Sequence, residues 1–186
     1  MGKWKIAKQF DFCYGHRVWS QKLDKEYSLD DRCVCRHLHG HQGKIIVNLE
    51  SIESKLPLTN GMVTDFKHLN WFKKFIDDTL DHKFIVDEND PMFDFIIPVD
   101  DCTNDAWSLM TMKEGYKIID PEIQEVVEPD FWDILEGFVI VDFLPTSENL
   151  SAWLARIVNI KMAPLGVKCS HLQFYETPKS QSNYYS

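Results

Sequence analysis

Near the start of the chain, apolar side chains recur at even positions. Trp4, Ile6, Phe10 and Phe12 alternate with polar neighbours and predict a first strand over residues 3 to 14, leading to His16. Residues 20 to 34 are polar and read as a loop. The β-branched, alternating run Lys44-Ile45-Ile46-Val47-Asn48-Leu49-Glu50 predicts a second strand that begins near His39 and ends before Pro57, and Asn60-Gly61 marks a tight turn. The period then lengthens to three or four: Phe66, Leu69, Phe72, Ile76 and Leu80 form one helical stripe, with Thr64 or Asp65 as its cap and its end near Asp81-His82. A second helix follows Pro145, capped by Thr146 or Ser147 and striped by Leu150, Trp153, Leu154, Ile157 and Val158. Residues 167 to 176 predict a last strand, and the Ser/Asn/Tyr tail after Pro178 reads as loosely ordered. Strands joined by short connections pair antiparallel, so the pattern predicts an α+β protein, an antiparallel sheet with two helices on one face.

Composition narrows the class. The 186 residues suit one domain, and 44% hydrophobic with 26% charged residues is ordinary for a globular protein. No apolar run is long enough to serve as a signal peptide or to span a membrane, and five cysteines make an odd count better suited to reduced thiols than to a disulfide framework. The expectation is a cytoplasmic protein. A net charge of −9 argues against a nucleic-acid partner. That charge is unevenly spread: residues 87 to 142 hold sixteen Asp and Glu against two Lys, a local −14, which leaves +5 on the remainder. An acidic insert at about 87–142 within a single domain of residues 1–186 follows, as does a basic scaffold suited to an anionic small molecule. Two apolar patches in the insert, Phe93 to Ile97 and Phe138 to Val141, predict a further hairpin or strand there.

The chemistry concentrates in Cys35-Arg36-His37-Leu38-His39-Gly40-His41. On a strand, His39 and His41 project to the same side. With His16 from a neighbouring strand they make a three-nitrogen set, which is what catalytic zinc uses when its fourth position stays open. Cys35, four residues before His39, is a candidate acid/base group beside such a metal. His37, His68 and His171 lack motif support and read as surface or structural.

Six segments in order resemble the 6-pyruvoyl/6-carboxy tetrahydropterin synthase family. They are Phe12-Cys13-Tyr14-Gly15-His16-Arg17, the Cys35…His39-Gly40-His41 segment, Gly61-Met62-Val63-Thr64-Asp65-Phe66, Leu80-Asp81-His82, Pro145-Thr146-Ser147-Glu148-Asn149 and Tyr175-Glu176-Thr177. The resemblance covers the chain outside the insert. It implies a tunnelling fold whose sheets join into a barrel in a homo-oligomer, a hexamer or tetramer, with active sites at subunit interfaces. It implies His16, His39 and His41 as zinc ligands, Cys35, Asp81 and His82 as catalytic groups, and Glu176, Thr146 and Ser147 as substrate contacts. The implied reaction is a lyase step on 7,8-dihydroneopterin triphosphate, giving 6-carboxytetrahydropterin for queuosine synthesis. The alternatives are a 6-pyruvoyl product, another pterin-processing activity, or a pterin- or purine-binding protein without turnover. Cys33 fits the spacing of the biopterin-pathway members and Cys35 that of the queuosine-pathway members, so both thiols stay open.

Overall fold

The computed structural model describes residues 4–21, 34–53, 61–97 and 109–186. Cys33 lies outside these residues. The chain divides into two compact units, one containing the start of the chain to Cys13, His41–Asp81 and Thr146–Ser186, the other Tyr14–Gly40 and His82–Pro145.

In the first unit the strand order is β1 (Lys5–His16), β2 (His39–Ser51), β7 (Val167–Thr177) and β8 (Ser180–Tyr185). β2 and β7 run antiparallel, from Lys44 opposite Tyr175 to Ser51 opposite Val167, with an irregularity at Asn48/Leu49. The residues after Pro178 form β8, antiparallel to β7, where loose order is expected from composition. Polar alternation explains the difference: one row of this strand faces outward while Ser182 turns in, its hydroxyl donating to the Ser147 carbonyl at 2.8 Å. Alternation along β1 buries Phe10, Phe12 and Tyr14, and along β2 Ile45, Val47 and Leu49.

Two helices cover this apolar row. The first predicted helix begins as a 3-10 turn, Phe66–Leu69, whose cap Asp65 accepts from the Lys67 amide, and continues as α1 (Asn70–Thr79). Phe72 and Ile76 point inward, and Phe72 meets Phe10 edge to face with ring centroids 5.1 Å apart. α4 (Ser147–Met162) is capped by Thr146 and packs on β7 and β8.

The second unit holds β3 (Lys83–Asp87), β4 (Leu109–Met112), β5 (Tyr116–Ile119) and β6 (Phe138–Val141), in the order β4-β5-β6-β3-β1. β3 is parallel both to the end of β1, with His16 opposite Ile85, and to β6. The sheet is therefore mixed. A strand buried between two parallel neighbours carries a continuous apolar run, and Phe84-Ile85-Val86 has no alternation to reveal it. The β4–β5 hairpin turns at Gly115, whose φ is 83°. Of the two apolar patches in the insert, Phe138–Val141 is β6, whereas Phe93–Ile96 is the short helix α2. With α3 (Pro129–Leu135) they enclose a core of Ile97, Ile119, Trp132, Leu135 and Ile140. No helix among the described residues is long and apolar enough to cross a membrane.

Two predictions test this packing. Leu135 is fully buried and Phe95 is 80% exposed. Leu135→Ala should lower unfolding free energy by about 2–5 kcal/mol and Phe95→Ala by no more than about 0.5, read by urea denaturation. On β7, burial pushes the Cys169 thiol up from 9.0 to about 11, opposed by backbone hydrogen bonding from His171 and Asn48. The folded state then keeps a proton that the unfolded chain releases, so this stability is complete below pH 9.0 and is lost as pH rises toward about 11. The loss is of order 3 kcal/mol. Cys169→Ala should flatten the alkaline arm of a stability–pH curve.

Candidate metal centre

His16 continues the inward row of Phe10, Phe12 and Tyr14 and is fully buried at the end of β1. His39 and His41 open β2 on the same side as Ile45 and Val47, and each is half-buried. The backbone comes close here: a Cβ on Gly40 would lie 3.1 Å from the Tyr14 carbonyl oxygen, and one on Gly15 would lie 2.3 Å from the Phe84 ring. Glycine at position 40 lets the start of β2 approach the end of β1, and glycine at position 15 makes room for Phe84 of β3.

The Nε2 atoms of His16 and His39 are 3.1 Å apart. On the far side of each ring Nδ1 meets a backbone carbonyl, Pro145 for His16 at 2.7 Å and His37 for His39 at 2.8 Å. A carbonyl only accepts, so each Nδ1 carries the proton, and in the neutral tautomers both Nε2 atoms present lone pairs. Two lone pairs that close need a cation between them, a proton or a metal. Orientation of the distal ring nitrogen by a carbonyl is the supporting pattern of metal-bound histidines. Ligand atoms of His16, His39 and His41 all lie within 4.8 Å of one another. The donor set, three imidazoles, fits zinc.

The remaining predicted residues fall into place unevenly. His41 Nε2 lies 3.5 Å from Glu176 Oε1, which brings the expected ring-binding carboxylate to the metal set. Asp81 Oδ1 accepts from the Cys13 amide at 2.7 Å, and His82, the next residue, takes a left-handed φ of 58°. Cys13, Asp81 and His82 form a second group of donors within 4.8 Å. Cys35 belongs to neither group; its carbonyl accepts from the Val18 amide at 2.8 Å. Thr146 uses its hydroxyl to cap α4, accepting from the Asn149 amide at 3.3 Å, and Ser147 donates to Glu148 at 3.2 Å. Sequence reasoning missed the Pro145 and His37 carbonyls, for which no side-chain signal exists. It also passed over Cys13, which stands inside the His16 motif and is the thiol beside Asp81 and His82.

The family model described as 6-pyruvoyl tetrahydropterin synthase matches residues 5–186. A 6-carboxy-5,6,7,8-tetrahydropterin synthase of Aquifex aeolicus is 27% identical, covering 98% of both chains. A putative enzyme of that name from Pyrococcus abyssi is 26% identical over 87% of this chain and 84% of its own. Among solved structures, an uncharacterized protein from Wolinella succinogenes is 48% identical with a TM-score of 0.90, covering 100% of this chain and 99% of its own. The 6-pyruvoyl tetrahydropterin synthase of Caenorhabditis elegans, at 20% identity and a TM-score of 0.55 over 100% and 97% of the two chains, shares the fold.

Purified protein dialysed against zinc and then against metal-free buffer should retain one equivalent of metal by elemental analysis. His16→Ala and His39→Ala should each lose it, while His68→Ala, which removes an imidazole outside both groups, should not.

Proposed function

The chain belongs to the 6-pyruvoyl tetrahydropterin synthase family, and we propose that it is a zinc-dependent lyase of the 6-carboxytetrahydropterin synthase type. It converts 7,8-dihydroneopterin triphosphate to 6-carboxytetrahydropterin, releasing acetaldehyde and triphosphate, and so supplies queuosine synthesis in the cytoplasm. The observation that carries this reading is the convergence of His16, His39 and His41, with the Nε2 atoms of the first two face to face. The names of the two curated relatives support the 6-carboxy product.

His16, His39 and His41 would hold zinc, which would supply Lewis-acid polarisation of substrate oxygens. Pro145 and His37 hold the His16 and His39 rings by their Nδ1 atoms, so neither ring must turn to bind. Glu176 accepts hydrogen bonds from the amino group and adjacent ring nitrogen of the pterin, a two-oxygen match to a guanidine-like edge. Its 3.5 Å spacing from His41 Nε2 supports a pterin site next to the histidines. Cys35 takes a carbon-bound proton from the substrate side chain, as thiolate. Asp81 and His82 return a proton. Thr146 and Ser147 contribute polar contacts at the start of α4. The triphosphate is met by the basic scaffold, which carries +5 outside the insert. The active assembly is a homo-oligomer.

Purified zinc-loaded protein with 7,8-dihydroneopterin triphosphate should give 6-carboxytetrahydropterin and acetaldehyde, identified by mass. Cys35→Ala should lower kcat by about 10²–10⁴-fold. A pterin product formed without acetaldehyde makes the protein a 6-pyruvoyl-type synthase instead. Unchanged turnover in Cys35→Ala rules out this thiol, and the absence of any product leaves a binding protein.

A further inference from the structure

β1 ends at His16, and the next three residues, Arg17, Val18 and Trp19, form no strand. This strap joins two parts of the site, because the Val18 amide holds the Cys35 carbonyl at 2.8 Å. Its side chains are gripped from the opening of the acidic insert. Trp19 Nε1–H donates to Asp87 Oδ2 at 2.9 Å, and Arg17 Nε lies 3.2 Å from Asp90 Oδ2 in an ion pair. Both carboxylates are 4% exposed.

The grip is itself braced. The other Asp87 oxygen accepts from the Asn89 amide and side chain, each at 2.9 Å, and the other Asp90 oxygen accepts from the Met92 amide at 2.9 Å. The Asp90 amide closes the turn onto the Asp87 carbonyl at 3.0 Å. Neither aspartate can shift without breaking its own turn. Buried carboxylates are poor sources of net stability, since their desolvation offsets most of the attraction they gain, and apolar residues fill such space at lower cost. What they give is a defined position for whatever they bind.

We propose that Asp87 and Asp90 are positioning residues. Through Trp19 and Arg17 they fix the strap that sets the His16 imidazole at one end and the Cys35 backbone at the other. This assigns a task to the start of the insert: it ties the extra layer of the second unit to the metal-ligand and thiol segments. The metal half of the inference rests on the zinc reading above; the thiol half does not.

The test uses the full chain with Trp19→Phe, which keeps the ring and removes the N–H, and Arg17→Met, which keeps most of the stem and removes the charge. Lys117→Ala is the control, because it breaks the Glu88–Lys117 ion pair in the same unit without touching the strap. Zinc affinity is read by competition with a chelator, Cys35 accessibility by its alkylation rate from peptide masses, and stability by Tm. Trp19→Phe should weaken zinc binding by about tenfold or more and speed Cys35 alkylation severalfold, with Arg17→Met acting in the same direction. Lys117→Ala should change Tm alone. Wild-type zinc affinity and Cys35 rate in Trp19→Phe, or equal changes in Lys117→Ala, would overturn the proposal. If the wild type binds no zinc, the metal reading fails by itself, and the alkylation rates still decide whether the clamp holds Cys35.

Discussion

Two imidazole nitrogens held 3.1 Å apart, each ring pinned from behind by a backbone carbonyl, form the contact on which the functional reading depends. Left to themselves the lone pairs repel, and histidines on a surface would swing away. Here they cannot, because His16 is buried at the end of an apolar row and His39 is bonded to a carbonyl two residues before it. The fold therefore holds an arrangement that becomes favourable once a cation is shared. Such pre-organisation costs stability in the empty protein and lowers the reorganisation needed on binding.

That arrangement uses ordinary strand geometry. The same alternation that buries Phe10, Phe12 and Tyr14 delivers His16, and the alternation that buries Ile45 and Val47 delivers His41 and His39. Core and site are successive stretches of one side-chain row, so no special backbone is needed beyond two glycines. At Gly40 a Cβ would lie 3.1 Å from the Tyr14 carbonyl oxygen and crowd it, and Gly15 makes room for the Phe84 ring on the adjoining parallel strand. Glu176 follows the same logic on β7, two residues beyond buried Phe174.

This explains what was legible in the amino-acid pattern. β1, β2, β7, α1 and α4 each expose one face and bury the other, so their periods show in sequence, and the histidines that extend those rows could be named with them. β3 carries the unbroken apolar run Phe84-Ile85-Val86 between β1 and β6, and Phe93–Ile97 has a composition that suits a strand yet forms a short helix packed into a local core. In both cases the deciding contacts are distant in sequence. The tail after Pro178 looks unstructured by composition, yet β7 offers it a ladder and Ser182 finds a carbonyl on α4. Backbone carbonyl partners, such as Pro145 and His37, are invisible to any reading of side chains.

The placement of the thiols bears on how such a site would be assembled. Asp81 and His82 group with Cys13, the three histidines form a separate group, and the two share no member. Cys35 joins neither and is bonded through its carbonyl to the strap that follows His16. The Asp81–His82 pair and Cys35 thus make contact with different parts of the chain. The Cys13 amide, by donating to Asp81 Oδ1 at 2.7 Å, holds that carboxylate in place beside His82. The backbone N–H does this whatever the side chain, so the thiol at position 13 is free to vary while the hydrogen bond persists.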